Sequence, residues 1–511
     1  MSILKSASIV SAMTLISRML GLIRDHVLAR YFPPGPEMDA FLVAFKIPNF
    51  MRRLFAEGSF AQAFVPVLSE YRTQKSPLEA KDLVDRAAGT LALILFLVVI
   101  VGEVTSPWVA LAFGTERELT SELIRSTFPY ILFISLVSFA SSVLNAYGKF
   151  AAPAFSPVYL NLVLIITALW VAPHFAQPIY TLGWAVFAAG VVQLLFLLPA
   201  LYRLGMVPRL RPDLKHPGVR KILKLMMPAV FGSSVAQVNL LFDSVIASFL
   251  AAGSVSWLYF SDRLLEFPLG IFGVALGTVI LPSLSKIHAA QDPEKFSHML
   301  DWGMRWVVLV SFPAMVGLLL LAGPLVVSVF QYDRFSSHDV EMSRLALVAL
   351  ATGLPAFILI KILAPGFFAR QDTKTPVKIG ITAMIVNMGF NVLIVTPMVL
   401  LDFSAPHIGL SIATAASAYL NAGMLFRILR RDKIFVPMPG WWRFMLNCLV
   451  ALLAMATALY FYVPDLNDWI QAKFWVRATW LALSVLGGAC VYFAVLLLMG
   501  VRRRDLLTPN F

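Results

Sequence analysis

Apolar runs of about twenty residues recur along the whole chain, separated by short stretches where lysine and arginine collect. A helix crossing the hydrocarbon of a bilayer needs ~20 mostly apolar residues. The pattern predicts fourteen spans: 5–31, 39–68, 83–106, 122–147, 155–173, 179–202, 219–250, 254–286, 299–322, 341–369, 376–400, 405–428, 441–463 and 474–500. Spans one, two, seven and eight are the least apolar, so a twelve-helix count is the competing reading. The alternating segments of ~10 residues that build a membrane β-barrel are absent. The expected fold is an all-α polytopic membrane protein. The first span lacks a small-x-small cleavage site before its charges and is expected to be retained.

An internal repeat overlies the spans. Asp25 and the following Ala29 to Phe32 correspond to Asp243 and Ala247 to Leu250. Val65 to Ser69 corresponds to Leu281 to Ser285, and Ser156-Pro157-Val158 to Thr375-Pro376-Val377. Each repeat holds six spans, and an even number gives two copies of the same topology about an axis along the membrane normal. The expected organisation is an N-lobe (1–202, spans one to six), a basic linker (203–218), a C-lobe (219–430, spans seven to twelve) and a terminal helix pair (431–511). The two lobes are expected to be related by pseudo-two-fold symmetry.

Composition agrees with this class. Of 511 residues, 59% are hydrophobic and 14% charged. A soluble protein carries ~25% charged residues. The charges are lopsided, 41 Lys+Arg against 28 Asp+Glu, a net +13. In a polytopic protein such an excess marks cytoplasmic loops. One set of loops holds Arg72, Lys75 and Lys81, the stretch Arg203 to Lys224, Arg370 and Lys374, and Arg427 to Lys433; the opposite set holds little more than Arg117, Arg334 and Lys473. Both termini are therefore expected in the cytoplasm, and no nucleic-acid partner is expected. Cys448 and Cys490 lie in apolar runs, without disulfide or metal spacing. The seven histidines are scattered, and there is no phosphate-binding loop and no nucleophile–base arrangement. Outer loops short of carboxylates argue against a polyprenyl-phosphate glycosyltransferase.

Charges inside the spans are the sharpest signal. Span one carries Arg18, Arg24 and Asp25; span two carries Asp39, Lys46, Arg52, Arg53 and Glu57; span eight carries Asp262, Arg263 and Glu266. A charge at mid-bilayer costs several kcal/mol unless it faces protein or water, so such residues default to function. Arg18 and Asp25, seven apart, share a helix face, as do Arg263 and Glu266, three apart. A surplus of arginine suits a diphosphate, because the guanidinium fork matches phosphate oxygens. Snorkelling interfacial charges or structural ion pairs explain the same residues without a ligand. A second cluster is Asp243 in span seven with Asn387 and Asn391 in span eleven and Thr414 in span twelve. It fits a monovalent cation, and equally fits helix packing through neutral polar groups. Gly270, Gly273 and Gly277 in span eight, and Pro48, Pro129, Pro228, Pro268 and Pro355 within spans, mark close contacts or bends. Trp441, Trp442, Trp469, Trp475 and Trp480 read as an interfacial belt.

Four segments carry a family resemblance: SRMLGLIRD (17–25), MDAFLVAFKIPNFMRRLFAEGSFAQAFVPVLSEY (38–71), GSVSWLYFSDRLLEFPLGIFGVALGTVILPSLSK (253–286) and LAPGFFARQDTKTPVKI (363–379). They closely resemble the MurJ (MviN) lipid II flippases, of the multidrug/oligosaccharidyl-lipid/polysaccharide exporter superfamily, over essentially the whole chain. The resemblance implies a V-shaped pair of six-helix lobes around a cationic cavity, and a lipid-tail groove formed by the last two helices. It implies transport of lipid II, undecaprenyl-diphosphate carrying a disaccharide-pentapeptide, across the inner membrane for peptidoglycan synthesis, without enzyme chemistry. It places the family's important arginines on Arg18, Arg24, Arg52 and Arg263, and its acidic position on Asp39. Lipid II, membrane lipids and peptidoglycan-synthesis proteins are the partners it implies. No cofactor is implied; Na+ or H+ coupling, or the membrane potential, is the expected drive. The sodium site of some members resembles Asp243, Asn387, Asn391 and Thr414, but its second position in span eleven can be Asp and is Asn391 here. Another lipid-linked saccharide, or cation-coupled drug export, is the alternative function.

Overall fold

The structure, a computed structural model, describes residues 3–55 and 59–501, with side chains for all of these but 3–12, 52–55, 59, 61, 62, 228–236, 274, 275 and 278. Among the described residues every regular element is helical. Two compact units divide the chain after Ser256.

The first unit holds α1 (Ile3–Tyr31), α2 (Pro36–Phe55), α3 (Ser59–Gln74), α4 (Pro77–Leu111), α5 (Arg117–Thr127), α6 (Tyr130–Ala146), α7 (Ala151–Phe155), α8 (Pro157–Ile166), α9 (Ile179–Arg203) and α10 (Pro217–Ser248). Span four is thus broken into α5 and α6 around Pro129, where the ring removes a helix donor. In the core of this unit α6 packs on α9, α5 on α2 and α4, and α1 on α7 and α8. The unit boundary does not follow the repeat boundary near residue 219. Helix α10 opens the second repeat, yet packs on α2, α3 and α4 of the first. Close approach makes this possible: a Cβ on Gly114 would meet the Ser248 carbonyl oxygen at 2.4 Å.

The helix α11 (Ser254–Pro268) begins at the end of the first unit. The second unit continues with α12 (Val274–Ala289), α13 (Pro293–Phe330), α14 (Ser337–Ala351), α15 (Leu354–Phe368), α16 (Lys374–Leu400), α17 (Ile408–Arg431), α18 (Trp441–Tyr462), α19 (Leu466–Gln471) and α20 (Phe474–Leu498). Between α11 and α12, just after Pro268, Leu269–Gly273 form a π-helical turn, so the Pro and Gly of span eight do mark an irregularity. Helices α18 and α20 pack on each other and on α13.

Ten helical segments among the described residues are long and apolar enough to cross a membrane. Spans one, two, seven and eight fall outside those ten. Each of those four spans contains residues whose side chains are not described, and the order of helices is consistent with fourteen spans.

The repeat is visible in local chemistry. Helix α4 starts with Ser76 as cap and Pro77 as first residue; α13 starts, 216 residues on, with Asp292 and Pro293. Two turns later each carries a buried acid, Asp85 or Asp301. Each acid holds the segment that follows the sixth span of its own repeat. Asp85 pairs with Lys81 and accepts from the Arg209 N–H at 2.7 Å, while its backbone carbonyl accepts from Arg211 N–H at 3.3 Å. Nearby, Asp213 N–H donates to Thr90 Oγ1 at 3.0 Å and Arg86 pairs with Asp213. The Lys215 N–H, with the Arg86 guanidinium, holds the Asp213 carboxyl below its ordinary pKa. Gly89 lets the linker cross: a Cβ there would lie 2.3 Å from Arg211 N. In the second unit Asp301 accepts from Arg305 Nε at 2.7 Å, Met438 N–H at 3.0 Å and Trp441 Nε1 at 2.7 Å.

Two tryptophans depart from the belt expected of them. Trp441 is this partner of Asp301, and Trp469 is fully buried against Trp480. Trp442 and Trp475 are exposed as a belt requires. The end of the terminal pair nearest α19 is fixed by Arg477, which is 6% exposed. Its guanidinium donates to the carbonyls of Val327 and Gln331 at the end of α13, and of Trp469 and Ile470 in α19, at 2.7–3.1 Å. A cation suits carbonyls at helix C-termini.

Asp301→Ala strands an indole N–H, a backbone N–H and the arginine together. Breaking a buried pair costs ~3–5 kcal/mol. Thermal unfolding of the purified chain in detergent is expected to show a clear drop for Asp301→Ala and a smaller one for Asp301→Asn; an unchanged melting temperature for both would remove Asp301 from this role. Gly89→Ala is expected to lower stability as well, by displacing the linker from α4.

Candidate functional site

Arg24 lies in the C-terminal third of α1 and is 8% exposed. A buried guanidinium keeps its charge, so it needs partners. Asp25 supplies one oxygen to both Nε at 2.9 Å and Nη2 at 2.6 Å. Nη1 donates to Asn161 Oδ1 at 3.1 Å. The amide of Asn161 is oriented in turn by donating to the Ser17 carbonyl at 3.1 Å, two turns back along α1. Asn161 on α8 is a polar exception within an apolar run, a signal that sequence reading passed over. Arg18 and Asp25 do lie on one face of α1 by spacing, but Arg18 is exposed while Asp25 is 2% exposed and belongs to Arg24.

Asp39 occupies the first turn of α2, where a carboxylate meets the positive end of its own helix. It is 4% exposed. It also accepts from the N–H groups that open α11: Gly253 at 2.7 Å and Ser256 at 2.8 Å, with the Ser256 hydroxyl at 2.5 Å. Asp39 and Ser256 are 217 residues apart, the spacing of the repeat. Gly253 has φ +98°, a left-handed conformation that favours glycine. Deeper in α2, Lys46 Nζ donates to Ser244 Oγ on α10 at 2.5 Å.

In the second unit Arg263 pairs with Glu266 at 2.7 Å, one turn on, and lies 4.8 Å over the Tyr259 ring. Asp262 and Glu266 are exposed and Arg263 is half-buried. The side chain of Arg52 lies outside the described residues. The four residues considered for a monovalent cation fall in different units: Asp243 in the first, Asn387, Asn391 and Thr414 in the second. Asn387 and Asn391 are buried on the face of α16 that repeats every four residues, and α16 packs on α17. Within the second unit this donor set is neutral. Asp243 accepts from Asn239 at 3.4 Å, and Lys46 already brings a cation to its neighbour Ser244. The described residues include no group of three His, Cys, Asp or Glu that could hold a metal.

A profile of the family described as "Lipid II flippase MurJ" matches residues 28–479. The chain belongs to the MurJ family. A relative from Haemophilus influenzae, named "Probable lipid II flippase MurJ", is 44% identical over 98% of this chain and 100% of its own. The "Lipid II flippase MurJ" of Burkholderia cenocepacia is 42% identical over 98% of both chains. Among solved structures, one titled "Lipid II flippase MurJ, inward closed conformation" superposes with TM-score 0.79 and 26% identity, over 98% of this chain and 99% of that one. The family match confirms the resemblance carried by the four motifs.

Asp39→Ala removes the acceptor of two backbone N–H groups and a hydroxyl. Hydrogen bonds to a charged group are worth ~1.5–3 kcal/mol each. Asp39→Ala is expected to destabilise the purified chain strongly in thermal unfolding. Ser256→Ala, which leaves both N–H bonds in place, is expected to cost only ~1 kcal/mol. Equal losses for the two would refute the assignment of the backbone bonds as the dominant contribution.

Proposed function

We propose that this chain is a lipid II flippase of the bacterial inner membrane. It carries undecaprenyl-diphosphate-linked disaccharide-pentapeptide from the cytoplasmic to the periplasmic leaflet by alternating access. The basic loops and both termini then lie in the cytoplasm, as the lysine and arginine bias favours. No covalent bond is made or broken, so the chemistry is binding and release.

The observation that carries the reading is the Arg24–Asp25–Asn161 constellation in a MurJ-family chain. A phosphate oxygen has the charge and acceptor geometry of the Asp25 oxygen, so a diphosphate can exchange with it on the same guanidinium. Asp25 is the resting partner that keeps Arg24 satisfied between substrates. Arg263, half-buried and paired with Glu266 on its own helix, is a second intramembrane cation that suits an anionic headgroup, as by sequence are Arg18 and Arg52. Movement of a net charge across the field is worth ~2.3 kcal/mol per 100 mV, so the membrane potential is the simplest drive. Cation coupling through Asp243, Asn387, Asn391 and Thr414 is a second proposed drive. Intramembrane arginines disfavour the reading as an exporter of cationic drugs. The names of the relatives favour lipid II over other polyprenyl-linked saccharides.

The test is lipid II translocation in proteoliposomes under imposed voltage, sodium and proton gradients. Arg24→Ala is expected to lower the rate ~10- to 100-fold, the worth of one charge-assisted phosphate contact. Arg24→Lys, which keeps the charge and loses the fork, should fall between. Full activity of Arg24→Ala and Arg263→Ala at normal protein levels would sink the diphosphate assignment.

A further inference from the structure

Beside Arg24, inside the first unit, lies a cleft of about 270 Å3 between α1, α6, the α7–α8 turn and α9. Its lining is mostly apolar, interrupted by uncharged polar groups and by no charged side chain. Asn161, the residue that accepts from Arg24, forms one wall, and Gln193, Tyr130 and Ser141 form others. Gln193 is 2% exposed, and its amide is held in one orientation: Nε2 donates to the Ser156 carbonyl at 3.1 Å and Oε1 accepts from Tyr130 at 3.5 Å. Ser156 is also 2% exposed, lines the cleft, and its hydroxyl has no protein hydrogen-bond partner. A buried hydroxyl left unpaired is destabilising, so it marks a place where a partner is expected from outside the protein. Aliphatic side chains such as Ile134 and Leu160 complete the wall.

We propose that this cleft binds an uncharged, N-acetylated sugar ring. This deepens the lipid II reading and rests on it: the cleft takes part of the headgroup's carbohydrate while Arg24, next door, meets its diphosphate. The chemistry fits on three counts. A wall of hydroxyls and amides with no charge can neither neutralise a phosphate nor favour an ion, but matches the hydroxyl and acetamido groups of a sugar. Its mixture of aliphatic and polar surface is that of a small-molecule pocket, and its volume is near the ~300 Å3 lower end for such pockets, enough for one ring and not for a whole headgroup. Asn161 belongs to both sites, so a ligand spanning them meets one continuous surface.

The experiment measures binding to the purified full chain in nanodiscs. Three probes are used: undecaprenyl diphosphate, its peptide-free disaccharide derivative, and lipid II. Ser156→Val and Gln193→Leu remove hydrogen-bonding groups. Ser141→Phe fills the cleft from its half-buried rim and guards against a folding defect in the other two. All three are expected to bind the two sugar-bearing probes about 10-fold more weakly than the unaltered chain and to bind undecaprenyl diphosphate equally well. Arg24→Ala is expected to weaken all three probes. Unchanged binding of the disaccharide probe by Ser141→Phe and Ser156→Val overturns the proposal. So does a loss confined to lipid II, which would assign the cleft to the peptide. If the unaltered chain binds lipid II no better than undecaprenyl diphosphate yet still translocates it, the sugar site is wrong and the transport reading stands. If it binds and moves no lipid II, the transport reading itself fails.

Discussion

A guanidinium cannot lose its proton inside a protein, so an arginine buried among membrane helices must have partners in every state. Arg24 meets this constraint with partners that include an aspartate oxygen and an asparagine oxygen. Helix α1 packs on α7 and α8, and Asn161 of α8 reaches Arg24 across that contact. The Asn161 amide returns a hydrogen bond to the Ser17 carbonyl, which fixes the spacing of the two helices. The cleft that we assign to a sugar lies against the same asparagine. Removing the charge would relax all of this, but would also remove the group that can recognise a phosphate.

The repeat supplies a second kind of constraint. Asp85 and Asp301 stand 216 residues apart at the same depth in α4 and α13, and each binds the strand of chain that leaves its repeat. In the first unit that strand is the basic linker; in the second it leads into the terminal helix pair. One acid position, duplicated, therefore fixes two segments of quite different later use. Asp39 and Ser256, also a repeat apart, instead bond to each other. Two-fold repetition brings some duplicated positions face to face, and there a carboxylate and a hydroxyl are complementary where two copies of either would not be.

Much of this was legible in the chain before any coordinates. The all-helical class and the order of helices follow from apolar run length, since only helices satisfy the backbone in lipid. The intramembrane acids and arginines are legible from their cost alone. What stayed hidden has a common physical cause: partners contributed from distant sequence. Nothing in the run around Asn161 says that it will meet Arg24, 137 residues away. Arg477 sits at a span end, and could as well have snorkelled as turned inward onto four carbonyls. Trp441 and Trp469 have belt positions but interior roles. The packing of α10 on the first unit was hidden for another reason, because a repeat boundary in sequence says where topology restarts and not where contacts lie.

The span of sequence between partners separates charges that hold the fold from charges that can exchange. Asp85 and Asp301 accept from groups 124 to 140 residues away, and Arg477 donates to carbonyls 146 and 150 residues away. Breaking any of these parts two elements. Arg24 and Asp25 are neighbours, and Arg263 and Glu266 are one turn apart on a single helix. Each pairing lies within a single helix, so exchanging its anion for another does not by that step break a bond between helices. Asn161 is a long-range partner of Arg24, and it is neutral, so it can remain on the guanidinium while the carboxylate leaves. A transporter that must bind and release a charged headgroup needs this division. Its structural charges must be tied across the fold, and its working charges must be satisfied locally, by partners whose loss leaves the packing intact.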